Sequence, residues 1–285
     1  MQPTVNKRGD APLFFLVDNG SLRPEATFSL RTIARCLGER VGQPVHPVSL
    51  LHSHKIAPEQ LGGVPAQILL PTLQAYLAAG AHAFVFIPLF FGPSRALTEY
   101  IPTQVKRLKN SFPELSVRIA QPLVDVDNDD DNALATILKA QIDAAETAHN
   151  LVAPKVILVD HGTPAKSVNA VRNFLGKQLA GMLEGRPFSV ASMERREGPA
   201  YDFNEPLLAN VLGRAPFDRG PIVLSMLFLN PGRHAGEGGD IDTICAQACG
   251  HVPNLHVYKT GLVGEHPGLV DILARKFTGK MTVIV

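Results

Sequence analysis

KVILVDHGT, residues 155–163, decides the fold. An aliphatic run of strand length ends on an aspartate, then closes with a glycine and a small hydroxyl residue. That pattern predicts a buried parallel strand that turns sharply and opens a helix. LFFLVDNGS at 13–21 repeats it, and AFVFIPLFF (83–91), PIVLSMLFL (221–229), LSVRIAQPL (115–123) and LHVYKTGL (255–262) supply further short apolar runs. Longer amphipathic segments separate them, so the chain reads as alternating strands and helices, an α/β protein.

The runs are paired. LVDNGS (16–21) overlies LVDHGT (158–163) at an offset of 142, and LFFGPSR (89–95) overlies LFLNPGR (227–233) at 138. VSLLHS (48–53) likewise overlies ASMERR (191–196), and QPLV (121–124) overlies TGLV (260–263). The order and spacing imply an internal duplication: two similar α/β domains, 1–150 and 151–285, each with a parallel sheet flanked by helices. The expected arrangement is a pseudo-twofold pair with a cleft between the domains.

Composition narrows the classes. Twenty-seven basic residues against 26 acidic ones leave a net charge of +1, so no overall field favours nucleic acid or a membrane surface. No apolar run has the length of a membrane span, and the opening MQPTVNKRGD lacks the apolar stretch of a secretory leader. Cys36, Cys245 and Cys249 are too few for a disulfide framework and suit a reducing compartment. A cytoplasmic protein, monomer or homodimer, is the expectation.

The duplication also shows where chemistry was kept. The first half has Asn19, Leu51 and Ala96 where the second has His161, Glu194 and His234. Asn, Leu and Ala do not accept protons at neutral pH, so any active site belongs to the second half. His161 and His234 both follow strands, and ligands of open α/β sheets bind at the carboxyl ends of strands. Glu194 follows the strand FSVASM and should reach the same edge, although Glu197, Asp202 and Glu205 lie close in sequence. The glycines of PGRHAGEGGD (231–240) would let the backbone carrying His234 approach a flat or bulky partner, with Glu237 and Asp240 read as loop and helix-capping residues.

DHGT with His161, LFLNPGRHAGEGGDI with His234 and VGEHPGLVDIL with His266 resemble the sirohydrochlorin cobaltochelatase and ferrochelatase family, the small class II tetrapyrrole chelatases. The motifs are strongest in the second half; LVDNGS and FFGPSR are a fainter echo in the first. The resemblance implies ATP-independent insertion of Co²⁺, Fe²⁺ or Ni²⁺ into sirohydrochlorin or a related tetrapyrrole, in cobalamin or sirohaem biosynthesis. The divalent metal is then a substrate, with no permanently bound cofactor. His161, His234 and Glu194 would hold the metal or take the pyrrole protons, while Arg233, Gly232, Arg95, Arg195 and His266 would meet the macrocycle. Imidazole nitrogen suits these metals and can accept a proton near neutral pH. The competing expectation is a non-catalytic relative that binds a tetrapyrrole or a metal. A hydrolase lacks its GxSxG elbow.

Other signals carry less. DNDDD (127–131) precedes ALATILKAQI and reads as a solvated helix start. Cys245 and Cys249 have helical spacing and read as packed thiols rather than metal ligands with His251. His52 and His54 lie in the blank half without a partner cluster. Phe90, Phe91, Phe228 and Leu229 belong to strand interiors or to a substrate wall, and KMTVIV (280–285) is an added edge strand or a subunit contact.

Overall fold

The computed structural model describes residues 11–284, so the opening MQPTVNKRGD lies outside the described residues. The chain forms two compact units, Met1–Asp125 with Val270–Val285, and Val126–Leu269.

The first unit runs β1 (Leu13–Asp18), α1 (Pro24–Val41), β2 (Val45–Ser49), α2 (Leu69–Ala78), β3 (Ala83–Pro88), α3 (Ile101–Lys109) and β4 (Ser116–Ala120). The second runs α4 (Ala133–Ala148), β5 (Lys155–Asp160), α5 (Lys166–Met182), β6 (Phe188–Ser192), α6 (Leu208–Val211), β7 (Gly220–Met226), α7 (Asp240–His251) and β8 (Leu255–Lys259). Last come α8 (Gly268–Thr278) and β9 (Met281–Ile284), which return to the first unit.

The sheets have the same core order, β2-β1-β3-β4 and β6-β5-β7-β8, with every one of these pairs parallel. β9 adds to the first sheet antiparallel to β4, with Val117 opposite Ile284. KMTVIV therefore supplies an edge strand through residue 284, and the first sheet is mixed rather than wholly parallel.

Registry verifies the duplication atom by atom. Leu50 N donates to Asp18 O and Met193 N to Asp160 O; Leu89 N donates to Val17 O and Leu227 N to Val159 O. One pairing needs correction. Leu123 N donates to Phe90 O, and Val263 N to Phe228 O, so Leu123 is equivalent to Val263 and QPLV overlies TGLV one residue out of step. The loop after a strand can slip by one residue without changing its apolar pattern; the hydrogen bonds fix it.

The unit boundaries also differ from a division at residue 150. Helix α4 packs on α5 and β7, and its buried Gln141 Nε2 donates to Leu262 O at 2.8 Å. At the other end, Phe277 of α8 packs on Phe14 with ring centroids 4.6 Å apart, and Asp271 pairs with Arg40 at 3.0 Å. An amphipathic pattern shows that a helix has an apolar face; it does not show which sheet that face covers.

Each sheet is closed by buried side chains. Phe15, Phe84, Phe86, Leu73 and Ile101 form one core; Ile157, Val159, Leu208, Ile222 and Leu224 belong to the other. Full burial of each such side chain contributes about 1.5–3 kcal/mol. DNDDD forms exposed turns that lead into α4, as its charge suggests.

Candidate functional site

In the second sheet the chain steps from β5 to its neighbour β6, then back to β7 on the other side of β5. The carboxyl ends of β5 and β7 are therefore the switch point, where loops diverge and leave a crevice. His161 follows β5 directly, and His234 lies in the loop after β7.

The turn after β5 depends on Gly162. Its φ is +88°, and a Cβ there would lie 1.9 Å from Glu194 O. Glu194 N meanwhile donates to His161 O at 3.2 Å. The two loops thus touch through backbone, which sets the carboxylate of Glu194 beside the imidazole: His161 Nε2 to Glu194 Oε1 is 3.5 Å. Gly20 is built the same way in the first unit, with φ +86° and a Cβ position 1.8 Å from Leu51 O.

His161 and His234 are adjacent, with ring centroids 4.4 Å apart and planes at 72°. His161 Nδ1 donates to Gly162 O at 2.9 Å, and His234 Nδ1 donates to Asp240 Oδ2 at 2.6 Å. In a neutral imidazole one nitrogen carries the proton and the other a lone pair. Both rings therefore present Nε2 as an acceptor, and Glu194 adds a third acceptor next to His161. Among the described residues no group of three or more His, Cys, Asp or Glu side chains is arranged to hold a metal ion. The three are neighbours without a closed coordination shell.

Asp240 is the residue that sequence reading placed only as a helix cap. It is the first residue of α7, and its carboxylate grips His234 while lying 3.7 Å from Arg233 Nε. The available signal was spacing, a histidine and a helix-starting aspartate across one glycine loop. That loop also differs from expectation. Gly239 leaves no room for a Cβ, which would meet Arg233 O at 2.6 Å and His234 O at 2.7 Å. Ile241 N donates to His234 O at 3.1 Å, and Ala235 is buried. The glycine lets the loop fold onto its own carbonyls and so fixes His234.

Beneath His161 lies a polar network that the sequence did not reveal. Ser192 Oγ donates to Asp160 Oδ1 at 2.6 Å, and Arg172 NH1 donates to Ser192 Oγ at 2.6 Å. Arg172 is 1% exposed and also donates to the carbonyls of Asn204, Phe203 and Glu205. Burial pushes the Asp160 carboxyl above its ordinary range, while Ser192, Arg172 and the Gly162 amide draw it back. The first unit keeps the aspartate and the serine without the arginine. Burial there raises Asp18 to about 6, against a smaller opposing effect of Ser49.

The remaining expected contacts fall in different surroundings. Arg233 is exposed and Gly232 O accepts from Gly236 N, both in the His234 loop. Arg195 is held by Glu205 at 2.8 Å and Asp202 at 3.2 Å, and this pairing keeps the Glu205 carboxyl below its usual range. His266 Nδ1 accepts from Gly268 N at 3.1 Å and shapes the turn into α8. Arg95 pairs with Glu99 at 2.8 Å in the first unit. There it lines a cavity of about 460 Å³ with Asn19, Leu51 and Ala96, the counterparts of the His and Glu positions. Cys245 and Cys249 pack against the second core, where burial pushes the Cys245 thiol up to about 12.

Two sheets with the same parallel four-stranded core order, one with His161, His234 and Glu194 at its switch point, define a two-unit α/β protein. Residues 13–145 match the CbiX family model. The matched segment includes Asn19, Leu51 and Ala96 and ends before His161 and His234. No curated protein matches the chain in sequence. Among solved structures, "SirB from Bacillus subtilis with Fe3+" aligns with a TM-score of 0.66 at 16% identity over 93% of this chain and 94% of that one. The sirohydrochlorin chelatase SirB from Bacillus subtilis subspecies spizizenii, in complex with cobalt, aligns with a TM-score of 0.63 at 14% identity over 93% of each chain. The shared fold extends over both units. Among the described residues no helix is long and apolar enough to cross a membrane.

Proposed function

We propose that the chain inserts a divalent metal ion, Co²⁺, Fe²⁺ or Ni²⁺, into sirohydrochlorin or a closely related tetrapyrrole, without ATP. The observation that carries this reading is the pair of Nε2 acceptors on His161 and His234 beside the Glu194 carboxylate. Acceptors this close repel one another unless a cation or proton lies among them. Two imidazoles and a carboxylate suit Co, Fe and Ni. The relatives support the same reading, one structure holding Fe³⁺ and the other cobalt.

Insertion requires that the ion be delivered and that two pyrrole N–H bonds break, their electron pairs passing to the metal and their protons to bases. His161 Nε2 and His234 Nε2 would hold the ion or accept those protons, one lone pair serving one task at a time, with Glu194 balancing charge beside His161. Asp240 and the Gly162 carbonyl keep the protons on Nδ1, so that Nε2 stays available. The open arrangement suits an ion that must be handed on, since a closed shell would retain it. Arg233, beside the site on an exposed loop, would meet a peripheral carboxylate of the macrocycle.

The test is anaerobic mixing of the protein with sirohydrochlorin and each metal in turn, followed by the macrocycle's visible spectrum against a control without protein. Accelerated metallation is expected, and His161→Ala or His234→Ala should lower it by about 10²–10⁴-fold, the usual contribution of a positioned base. Wild-type turnover in either variant would remove that histidine from the mechanism. Tetrapyrrole binding without acceleration by any metal would favour a carrier.

A further inference from the structure

Beside edge strand β2, the first unit contains a second cavity, of about 500 Å³, away from Asn19, Leu51 and Ala96. The two halves explain why it is there. Buried positions of α1 and α5 coincide at the offset of 142: Thr27 with Asn169, Leu30 with Arg172, Ala34 with Gly176, Leu37 with Leu179. In the second unit Arg172 extends from α5 to Ser192 and to the carbonyls of Phe203, Asn204 and Glu205, so its guanidinium fills the space beside the edge strand. Leu30 is shorter and makes no such bonds. The connection from the edge strand to the next bridge is also longer in the first unit, residues 50–67 against 193–206. The first unit is thus left with an open volume where the second is plugged.

The lining has a definite chemistry. Phe15, His46 and Tyr76 form an aromatic wall, with His46 5.5 Å from Phe15 and 5.8 Å from Tyr76 between ring centroids. Burial pushes the His46 imidazole down, favouring its uncharged form. Thr27 is 5% exposed, and its hydroxyl has no hydrogen-bond partner. A buried hydroxyl without a partner is left with an unmet hydrogen bond, which a polar atom reaching it would satisfy. Arg31 donates to Leu61 O at 3.1 Å and Val64 O at 2.6 Å. Among the described residues it forms no ion pair, and no acidic side chain lines the cavity. An arginine held by two carbonyls, with no carboxylate opposite, presents unbalanced positive charge to whatever enters.

We propose that this cavity binds a small flat aromatic acid, its ring against Phe15, His46 and Tyr76, a polar atom at Thr27 and its carboxylate at Arg31. The volume admits a ligand of one or two fused rings and excludes a whole tetrapyrrole. The cavity is independent of the histidine cluster, so the proposal does not depend on chelatase activity.

2-Naphthoate is a suitable probe, because the chain has no tryptophan to obscure the probe's fluorescence. Titration into the full chain should show saturable one-site binding, checked by calorimetry. Ala75, an exposed residue on the cavity wall, can be enlarged without entering the core. Ala75→Phe should abolish binding. Arg31→Gln should weaken 2-naphthoate about tenfold while changing the affinity for uncharged 2-naphthalenemethanol little. Absence of saturable binding up to millimolar probe, or binding that survives both substitutions, would overturn the proposal.

Discussion

Asp18 offers the sharpest test of how the two halves differ. Its side chain is buried with Ser49 as a partner, and one carboxylate oxygen has none. Its counterpart Asp160 has Arg172 NH1 at 4.0 Å, whereas the position equivalent to Arg172 is Leu30. Burial raises the Asp18 carboxyl from 3.8 to about 6. The folded protein therefore keeps this proton between pH ~4 and ~6 while the unfolded chain has lost it, so stability falls as pH rises through that window. A shift of about two pKa units corresponds to about 3 kcal/mol at 1.36 kcal/mol per unit. Asp18→Asn removes the titration and nearly preserves the shape. Urea unfolding of both proteins at several values between pH 4 and 7.5 isolates the effect, because the other ionisable groups cancel in the difference. The variant should gain on the wild type by up to about 3 kcal/mol across that range, with most of the gain complete by pH 7. A stability difference that stays constant with pH, or moves the other way, would show that Asp18 is not a buried neutral acid.

Three further perturbations address the second unit. Arg172→Leu strands the buried Asp160 carboxylate and the carbonyls that Arg172 binds, and a loss of about 3–5 kcal/mol is expected in the denaturation midpoint; a loss under 1 kcal/mol would mean that water replaces the guanidinium. Gly162→Ala forces a side chain into a left-handed backbone against Glu194 O, so it should destabilise by at least about 2 kcal/mol and depress metallation, whereas wild-type behaviour in both assays would contradict the backbone contact between the loops. Asp240→Ala should leave folding intact, lower metallation about 10–100-fold, and let the His234 proton move between ring nitrogens, which ¹⁵N chemical shifts of the imidazole would register. An unchanged tautomer would mean that Asp240 does not set it.

The duplication was legible because a strand end and its glycine turn leave a local signature, LVDNGS against LVDHGT. Matched segments in the same order, at offsets of 138 to 143, then brought His161, Glu194 and His234 together, and the structure places His161 beside both others. What could not be read depends on contacts between distant segments. Arg172 looks like an ordinary helical cation until α5 is laid on β6 and the turn at 199–204 closes over it. Asp240 occupies a position where aspartates commonly begin helices, so its hold on His234 had no separate local mark. Likewise, nothing in the sequence of α4 or α8 tells which sheet it covers. The glycines of residues 231–240 were visible, but their purpose was the loop's own folding.

The return of α8 and β9 to the first sheet has a consequence for biosynthesis. The second unit is one uninterrupted segment, while the first is completed only by residues that follow the whole of the second. As the chain leaves the ribosome, Val126–Leu269 can fold while the outer edge of β4 still awaits β9. The interval between synthesis of β4 and arrival of β9 is when an open edge can pair with the wrong strand.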